Sequence, residues 1–234
     1  NKGMETSHAA ADLLPDAVYG LPEIYAEKIR SSSVVGNPGC FAICMTLGLL
    51  PAVEKGLLTS GTIVCDGKTG VSGAGKNPGE SNFYPQRYEN VNTYREGRHQ
   101  HLVEVENVLN DRGASPVKIL FVPQIVPLNR GILITAYSPA PKGCTTKDLL
   151  ELYTDYYSGK PFVRVIDSSP NTTDVRGSNF CEIRPMVDER TGMLFITSVI
   201  DNLLKGQSGN AVQCANLMLG FEETTGLNAL PFYP

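Results

Sequence analysis

Apolar residues recur at a helical spacing in one segment of the chain, which predicts its most buried helix. Four of them follow one another at intervals of four residues: Phe41, Met45, Leu49 and Val53. That spacing places them on one face of a helix. The segment begins at Cys40, and Pro38 and Gly39 just before it favour a turn. The pattern therefore predicts a buried helix that starts at or near Cys40.

Shorter apolar runs predict strands, and mixed periodic runs predict further helices. Strands are expected at residues 31–35, 62–65, 117–122, 132–137, 162–166, 180–186 and 194–199. Helices are expected at residues 23–30, 99–109, 146–157 and 208–221, with Thr145 or Thr146 as a helix cap. Residues 67–79 and 80–98 are interpreted as loops. Strands in a row with interspersed helices favour an α+β fold, a mixed or antiparallel sheet covered by helices on one face.

Composition and charge narrow the class of partner. The chain has 234 residues, 41% hydrophobic and 19% charged, which is typical of one folded domain or of one domain with part of another. Its net charge of −4 argues against nucleic-acid binding, and no apolar stretch approaches the roughly 20 residues of a membrane span. No secretory leader is recognised. We therefore expect a small-molecule substrate, with neither a nucleic-acid nor a membrane partner.

The six cysteines are spread along the chain without a CxxC pair, which favours reduced thiols over a disulfide scaffold or a zinc site. Cys40 differs from the others because of its place at a predicted helix start. Backbone N–H groups and partial positive charge at that end stabilise an anion, so a thiolate with a lowered pKa is expected there. The alternative is a buried structural cysteine, which is the reading we favour for Cys44.

Two of the three histidines form the pair His99 and His101, with Glu104 shortly after them. On a strand the two rings would share a face, as metal ligands do, whereas at a helix start they should diverge. Without a further ligand at suitable spacing the pair is weak support for a metal. One histidine could instead be a general base, with Glu104 one helical turn beyond His101. A solvated polar helix start remains the alternative.

A glycine-rich loop from Gly70 to Asn77 nearly matches the phosphate-binding pattern GxxxxGK[ST]. Asn77 stands where the pattern needs Ser or Thr, and Pro78 and Gly79 would break the helix that must follow. We therefore exclude a nucleoside triphosphatase. The loop could still present N–H groups to an anion, or be an ordinary flexible loop. Arg130, between two predicted strands, could bind a carboxylate or phosphate or could lie on the surface.

Short motifs run in order along nearly the whole chain, and together they resemble one enzyme family. They are residues 19–23 (YGLPE), 36–40 (GNPGC), 72–75 (SGAG), 99–104 (HQHLVE), 127–131 (PLNRG), 177–179 (GSN) and 201–213 (DNLLKGQSGNAVQ). Each motif is short, but their joint occurrence is specific. The chain resembles the N-acetyl-gamma-glutamyl-phosphate reductase family.

The resemblance implies both a fold and a reaction. The fold would be like the catalytic domain of glyceraldehyde-3-phosphate dehydrogenase. The reaction would be the NADPH-dependent reduction of N-acetyl-L-glutamyl 5-phosphate to the semialdehyde, with phosphate release, in arginine biosynthesis. Cys40 would form a thioacyl intermediate and His101 would be the general acid and base. The resemblance further implies substrate-binding roles for His99, Glu104, Ser72, Gly73, Arg130 and Asn179, and cofactor-binding roles for Gly39, Gly209 and Asn210, with no metal.

The resemblance also implies a domain organisation. Residues 1–35 would be the tail of a dinucleotide-binding domain, residues 36–200 the catalytic and dimerisation domain, and residues 201–234 a C-terminal helix that returns toward the first domain. Family members begin with a Rossmann half, but no GxGxxG-like turn opening a helix occurs here. Most of the NADP-binding part is therefore expected to be absent from this sequence. A homo-oligomer is implied, in the cytoplasm or in an organelle after processing.

Other functions compatible with the residues remain open. The acyl phosphate could be aspartyl phosphate or a carrier-bound aminoadipyl phosphate, both reduced by the same chemistry. The chain could be a dimerisation module without catalysis, which predicts an oligomer that neither binds a dinucleotide nor turns over. It could also be a cysteine hydrolase that uses Cys40, His101 and water and needs no nicotinamide.

Overall fold

A computed structural model describes residues 9–58, 61–77 and 79–232, which include helices and one large sheet. The helices are α1 (Pro22–Arg30), α2 (Cys40–Glu54), α3 (Tyr84–Arg87), α4 (His101–Arg112), α5 (Thr146–Tyr156), α6 (Thr172–Val175) and α7 (Gly209–Met218). The strands are β1 (Ala17–Tyr19), β2 (Val34–Gly36), β3 (Thr62–Thr69), β4 (Asn92–Thr93), β5 (Lys118–Ile125), β6 (Ile132–Pro139), β7 (Val163–Val165), β8 (Cys181–Asp188) and β9 (Met193–Ile200).

Seven of these strands form a mixed sheet in the order β4-β5-β3-β6-β9-β8-β7. The pairs β3–β5 and β7–β8 are parallel and the other neighbours are antiparallel. Strands β1 and β2 form a separate parallel pair near the N-terminus. The predicted α+β fold with a mixed sheet is therefore confirmed, whereas the domain boundaries at residues 35 and 200 stay predictions.

Helix α2 lies at the centre of the core. Every residue from 41 to 53 is buried, as expected of a helix that is apolar on nearly all sides. Gly48 allows the helix to approach β9 closely, because an added Cβ would lie 2.9 Å from Oγ of Ser198. Tyr153 of α5 donates a hydrogen bond to the carbonyl of Gly48 at 2.7 Å. The helix start at Cys40 is confirmed, and this packing fixes where Cys40 lies.

The helices α2, α4 and α5 pack on one face of the seven-stranded sheet, and the other face is less covered. Along β3, β5 and β6, buried residues alternate with half-buried or exposed ones, as expected of a sheet that is covered on one side. On the open face an apolar row crosses five neighbouring strands: Leu120, Val64, Tyr137, Phe195 and Met186. We call these five side chains the apolar row.

Several predicted boundaries differ from the structure. Strand β3 continues to Thr69, so residues 67–69 belong to a strand and not to the expected loop. Gly67 fits there because an added Cβ would lie 2.6 Å from the Phe121 ring, which fills the space that a side chain would need. The expected loop at residues 80–98 contains short helical turns and β4. Helix α7 begins at Gly209 after a π-helical turn, Leu204–Ser208.

None of the helices described is both long and apolar enough to span a bilayer.

Candidate active site

A cavity of about 780 Å³ opens at the N-terminal end of α2, within the range of small-molecule sites. Residues from six parts of the chain line it. They are Asn37, Pro38, Gly39, Cys40, Phe41, Thr69, Gly70, Val71, Gly73, Ala74, Asn82, Asn92, Tyr94, Arg95, His99, Gln100, His101, Ile125, Asn202, Leu203, Gly206 and Gln207. The cavity therefore brings together Cys40, both members of the histidine pair and part of the glycine-rich loop, which lie far apart in the sequence.

The ring of His101 packs directly on the backbone just before Cys40. An added Cβ at Gly39 would lie 2.0 Å from Nε2 of His101, closer than any contact allows. Gly39 has a negative φ of −71°, so its lack of a side chain serves this approach and not an unusual backbone conformation. The structure therefore places His101 next to the predicted nucleophile, with glycine making room for the ring.

Glu104 fixes the start of α2 from behind. Its Oε2 accepts a hydrogen bond from the amide of Gly39 at 3.0 Å and one from the hydroxyl of Tyr19 at 3.4 Å. Gly39 is the N-cap residue of α2 but has no side chain that could cap the helix. The carboxylate of Glu104 instead binds an N–H group at the positive end of α2. Glu104 does not line the cavity. Sequence reasoning missed Tyr19 because only the fold brings it to α4.

The surroundings of Cys40 do not lower its pKa, contrary to the expectation from its place at a helix start. Burial raises the pKa of the Cys40 thiol, and the charge of Glu104 adds to that effect. Hydrogen bonds from the amides of Phe41 and Cys40 act in the opposite direction but do not outweigh burial. The helix start is therefore correct and the lowered pKa is wrong. At neutral pH Cys40 is a thiol that needs a base to become a nucleophile.

The two histidine rings lie together, although rings at a helix start were expected to diverge. Their centroids are 4.6 Å apart in an edge-to-face arrangement, because His99 precedes α4 and its Nδ1 accepts a hydrogen bond from the amide of His101 at 3.3 Å. Burial lowers the pKa of both imidazoles to about 4. The charge of Arg95 lowers both pKa values further, and the nearby His99 also lowers the pKa of His101. Both rings are therefore neutral at pH 7, and a neutral His101 can accept a proton.

Two loops and a turn close the opposite side of the cavity. Asn202 joins them, since its Oδ1 accepts from the amide of Gly131 at 2.8 Å and its Nδ2 donates to Oγ of Ser72 at 3.0 Å. The hydroxyl of Ser72 in turn donates to the carbonyl of Asn129 at 2.6 Å. Gly73 lines the cavity, whereas Ser72 holds the loop in place. Asn202 was not among the predicted site residues, although it lies in the motif at residues 201–213.

Four predicted residues lie behind the cavity wall and do not line it. Arg130 forms an ion pair with Asp201 at 2.9 Å. Asn179 is buried and donates to Oε1 of Gln213 at 3.1 Å. Gly209 packs against Asn179. Asn210 is buried, and its Nδ2 donates to the carbonyl of Gly20 and to Oδ1 of Asn37. Their binding roles stay predictions.

Arg95 lines the cavity and was missed by sequence reasoning. It is the only fully charged side chain among the described lining residues. Its backbone has a φ of 48°, a left-handed conformation that costs a non-glycine residue on the order of 1–3 kcal/mol. Such strain is often retained at a binding site. No local motif marks Arg95, because its proximity to the histidines depends on the turn between β4 and α4.

No group of three His, Cys, Asp or Glu side chains in the described parts of the chain could hold a metal ion. Gly39 and Gly206 both lie in the wall beside Cys40. An added Cβ at Gly206 would lie 2.9 Å from Cβ of Cys40. The missing side chains therefore let the His101 ring and the turn that contains Gly206 pack closely around Cys40, and the cofactor-binding role of Gly39 stays a prediction.

Comparison with known proteins identifies the family. A family model described as "Semialdehyde dehydrogenase, dimerisation domain" matches residues 40–202. A curated N-acetyl-gamma-glutamyl-phosphate reductase from Geobacter metallireducens is 45% identical over 230 residues, 97% of this chain and 66% of that protein. One from Symbiobacterium thermophilum is 44% identical over 97% of this chain and 67% of its own length. The chain belongs to the N-acetyl-gamma-glutamyl-phosphate reductase family.

This reductase-family chain spans only about 66% of the length of the first relatives it matches. Solved structures support its fold. Aspartate semialdehyde dehydrogenase II from Vibrio cholerae aligns with a TM-score of 0.66 at 19% identity, covering 88% of this chain and 69% of that chain. The enzyme from Francisella tularensis aligns with a TM-score of 0.62 at 15% identity, over 84% of this chain and 70% of that one. These similarities confirm the fold alone.

We expect His101 to titrate far below an ordinary histidine. Its NMR ring signals should stay constant from pH 8 down to about pH 5, because its pKa in the folded protein is about 4. In the urea-unfolded protein the midpoint should be near 6.5. The unfolded state therefore binds more protons between these values, so the stability present above pH 6.5 is lost as the pH falls toward 4.

Replacing Gly39 by alanine should raise the His101 midpoint toward 6.5, because the methyl group displaces the ring into solvent. Gly36→Ala is the matched control, since an added Cβ there meets nothing closer than the carbonyl of Val18 at 4.0 Å. A parent protein whose His101 titrates near 6.5 would contradict the close packing of the ring on Gly39.

Proposed function

We propose that this chain carries the nucleophile and the base of an NADPH-dependent reductase that converts N-acetyl-L-glutamyl 5-phosphate to N-acetyl-L-glutamate 5-semialdehyde, with release of phosphate. One observation carries the proposal. Cys40, at the first turn of α2, and His101, packed on Gly39, face the same cavity. The identity to curated reductases supports the substrate.

Cys40 and His101 would perform the first half of the reaction. Neutral His101 accepts the proton of the Cys40 thiol as the sulfur attacks the acyl carbon of the substrate. A C–S bond forms, the bond from the acyl carbon to the phosphate oxygen breaks, and inorganic phosphate leaves. The product is a thioester on Cys40. Because burial raises the pKa of this thiol, proton transfer and attack are coupled, and the base is required even for the first step.

The second half needs a hydride donor, which would enter the cavity of about 780 Å³ that Cys40 lines. NADPH, when bound, supplies the hydride that reduces the thioester carbon. His101, protonated in the first half, gives its proton to the resulting oxyanion. The C–S bond then breaks, which releases the aldehyde and returns the proton to the Cys40 sulfur by way of His101.

Arg95 would bind an anionic group of the substrate. It is the only fully charged side chain of the described lining, to which its neighbours Asn92 and Gln100 also contribute. Its guanidinium donates to Oε1 of Gln100, which holds the group at the cavity rim. Both a phosphate and a carboxylate suit a guanidinium that donates two parallel hydrogen bonds. A substrate with both groups, such as N-acetylglutamyl phosphate, fits this arrangement.

The open face of the sheet would join two copies of the chain. In the apolar row, Leu120 is 49% exposed, Tyr137 40% and Val64 39%. Contiguous exposed apolar side chains on a soluble fold typically mark an interface, and the matching family model describes a dimerisation domain. A twofold axis through this face would place the row of one copy against that of its partner. We therefore include a homo-oligomer in the proposal.

Replacing Cys40 by serine should abolish the reaction, and replacing His101 should slow it. We expect a loss in kcat of roughly 10⁴-fold for Cys40→Ser and of about 10²–10⁴-fold for His101→Asn. The assay is reduction of NADP with N-acetylglutamate semialdehyde and phosphate, with aspartate semialdehyde as the competing substrate. Cys144→Ser, a half-buried thiol outside the cavity, is the matched control.

Mass spectrometry separates the alternatives to this mechanism. An acyl adduct on Cys40 that accumulates with acyl phosphate and disappears on addition of NADPH is expected. Hydrolysis of the adduct without nicotinamide would support a cysteine hydrolase. Absence of any adduct, with a stable oligomer, would support a non-catalytic module. Preference for aspartate semialdehyde would contradict the assigned substrate alone.

Replacing Arg95 by methionine should raise KM by roughly 10- to 100-fold with a smaller effect on kcat, because a hydrogen bond to a charged group contributes on the order of 1.5–3 kcal/mol. Arg95→Lys keeps the charge but loses the paired donors, so an intermediate KM is expected. The exposed Lys76, in the glycine-rich loop but outside the lining, gives the control Lys76→Met. An unchanged KM for Arg95→Met would remove Arg95 from the substrate site.

A charge in the apolar row should dissociate the oligomer. We expect Tyr137→Glu to lower the mass measured by light scattering to that of a smaller assembly, because an unpaired carboxylate would be buried between the copies. Leu219→Lys is the control, since Leu219 is equally apolar and 69% exposed but lies at the end of α7. If Tyr137→Glu has the mass of the parent, the interface lies elsewhere.

A further inference from the structure

A fully buried ion pair lies behind the wall that carries Cys40. Nζ of Lys205 is 2.6 Å from Oε1 of Glu23, and both side chains have no exposed surface. Glu23 belongs to α1, near the N-terminus, whereas Lys205 lies in the π-helical turn before α7. Burying two charges is costly unless further hydrogen bonds satisfy them. The pair therefore needs an explanation beyond the packing of the core.

Polar side chains of α7 surround this pair and bond Nζ of Lys205 and Oε1 of Glu23, whereas Oε2 of Glu23 is buried without a hydrogen-bond partner. Lys205 also donates to Oε1 of Gln213 at 2.7 Å and to Oδ1 of Asn210 at 3.3 Å, so all three of its protons have acceptors. Nε2 of Gln213 donates to Oε1 of Glu23 at 3.0 Å. Burial alone would raise the pKa of Glu23, but Lys205 and Gln213 outweigh it and hold that pKa below its usual range. The carboxylate is thus ionised.

Two short connections lead from the pair to the nucleophile. The first is Asn210, whose Nδ2 donates to Oδ1 of Asn37 at 2.8 Å and to the carbonyl of Gly20 at 2.6 Å. Asn37 stands three residues before Cys40. The second is Gly206, adjacent to Lys205, whose α-carbon packs against the side chain of Cys40.

The turn between Lys205 and Cys40 is itself unusual. Residues Leu204–Ser208 form a π-helix, a rare conformation that occurs often at functional sites. Its wide hydrogen bonds include Gly206 N to Asp201 O at 2.9 Å and Ser208 N to Leu203 O at 3.0 Å. In this conformation Lys205 is buried toward Glu23 and the adjacent Gly206 faces Cys40.

We propose that Glu23 and Lys205 are positioning residues for Cys40: their ion pair holds the π-helical turn, and through Asn210 and Gly206 it fixes the segment from Asn37 to Cys40 in the cavity wall. This inference rests on the proposed role of Cys40 as the reactive thiol. Neither side chain lines the cavity, so neither touches the substrate. Loss of the pair loosens the wall and lets water reach the sulfur.

The test replaces both charges together, by Glu23→Met and Lys205→Met in one protein. Removing a single partner leaves an uncompensated buried charge and endangers folding, whereas two apolar side chains of similar size are tolerated. We expect kcat to fall by roughly 10²-fold while KM stays within about threefold, since a displaced nucleophile affects the chemical step. We also expect iodoacetamide to alkylate Cys40 several-fold faster at fixed pH, because burial no longer raises its pKa as strongly.

A second variant examines the connection itself. Asn210→Ala keeps the ion pair but removes the bond to Asn37, so it should reproduce much of the change in kcat and in Cys40 alkylation. The triple variant combines Glu23→Met, Lys205→Met and Asn210→Ala. If the pair acts through Asn210, its fall in kcat relative to the parent should be smaller than the product of the falls caused by the double variant and by Asn210→Ala. Full multiplication of the effects would contradict a route through Asn210.

Peptide mapping supplies the internal controls. Cys44, one turn further along α2, and Cys65 are fully buried, so their alkylation reports loss of the fold. Arg112→Met, which removes the ion pair with Glu54 at the other end of α2, is the matched control and should leave Cys40 unchanged. Parent-like kcat and Cys40 alkylation in the folded double variant would overturn the inference. So would equal acceleration at Cys40, Cys44 and Cys65, which would indicate general unfolding.

The outcomes also separate this inference from the proposed function. If Cys40→Ser abolishes turnover and the double variant is unaffected, only the positioning role fails. If Cys40→Ser leaves turnover intact, the proposed function fails, and the inference fails with it.

Discussion

The contact of the His101 ring with the backbone of Gly39 is the constraint on which the site depends. Any side chain at residue 39 would occupy the volume of the imidazole. Because α2 is buried along its length, its first turn cannot move away to make room. The ring can retreat only by giving up its packing against His99 and Phe41. One missing side chain therefore sets the distance between the base and the thiol.

The same close packing sets the protonation states. Burial disfavours charge, so it raises the pKa of Cys40 and lowers that of His101. The resting pair is a neutral thiol and a neutral imidazole, not an ion pair of thiolate and imidazolium. The positive end of α2 stabilises two groups, because the amide of Gly39 already donates a hydrogen bond to the carboxylate of Glu104. In the proposed reaction, Cys40 would therefore ionise only as it attacks a substrate whose anionic group Arg95 binds.

Local pattern predicted the elements well and the long-range contacts poorly. The start of α2 followed from the turn before Cys40 and the four-residue spacing after it, and most strands were found within a few residues. The C-terminal end of β3 was missed because Gly67 suggests a loop. Only the structure shows that the Phe121 ring fills the space that a side chain at residue 67 would need. The direction of the Cys40 pKa shift was also missed, since a helix end is visible in sequence but the depth of burial is not.

Contacts between distant segments explain the remaining gaps in the site. Arg130 looked like an anion ligand, yet the structure pairs it with Asp201, whose carboxylate also accepts from the amides of Gly177 and Leu203. A charged residue beside a cavity can thus hold the turn that shapes the wall. Glu23 and Lys205 are a deeper case of the same arrangement. Sequence shows the charge of such residues, but only the fold shows whether that charge faces a ligand or another part of the chain.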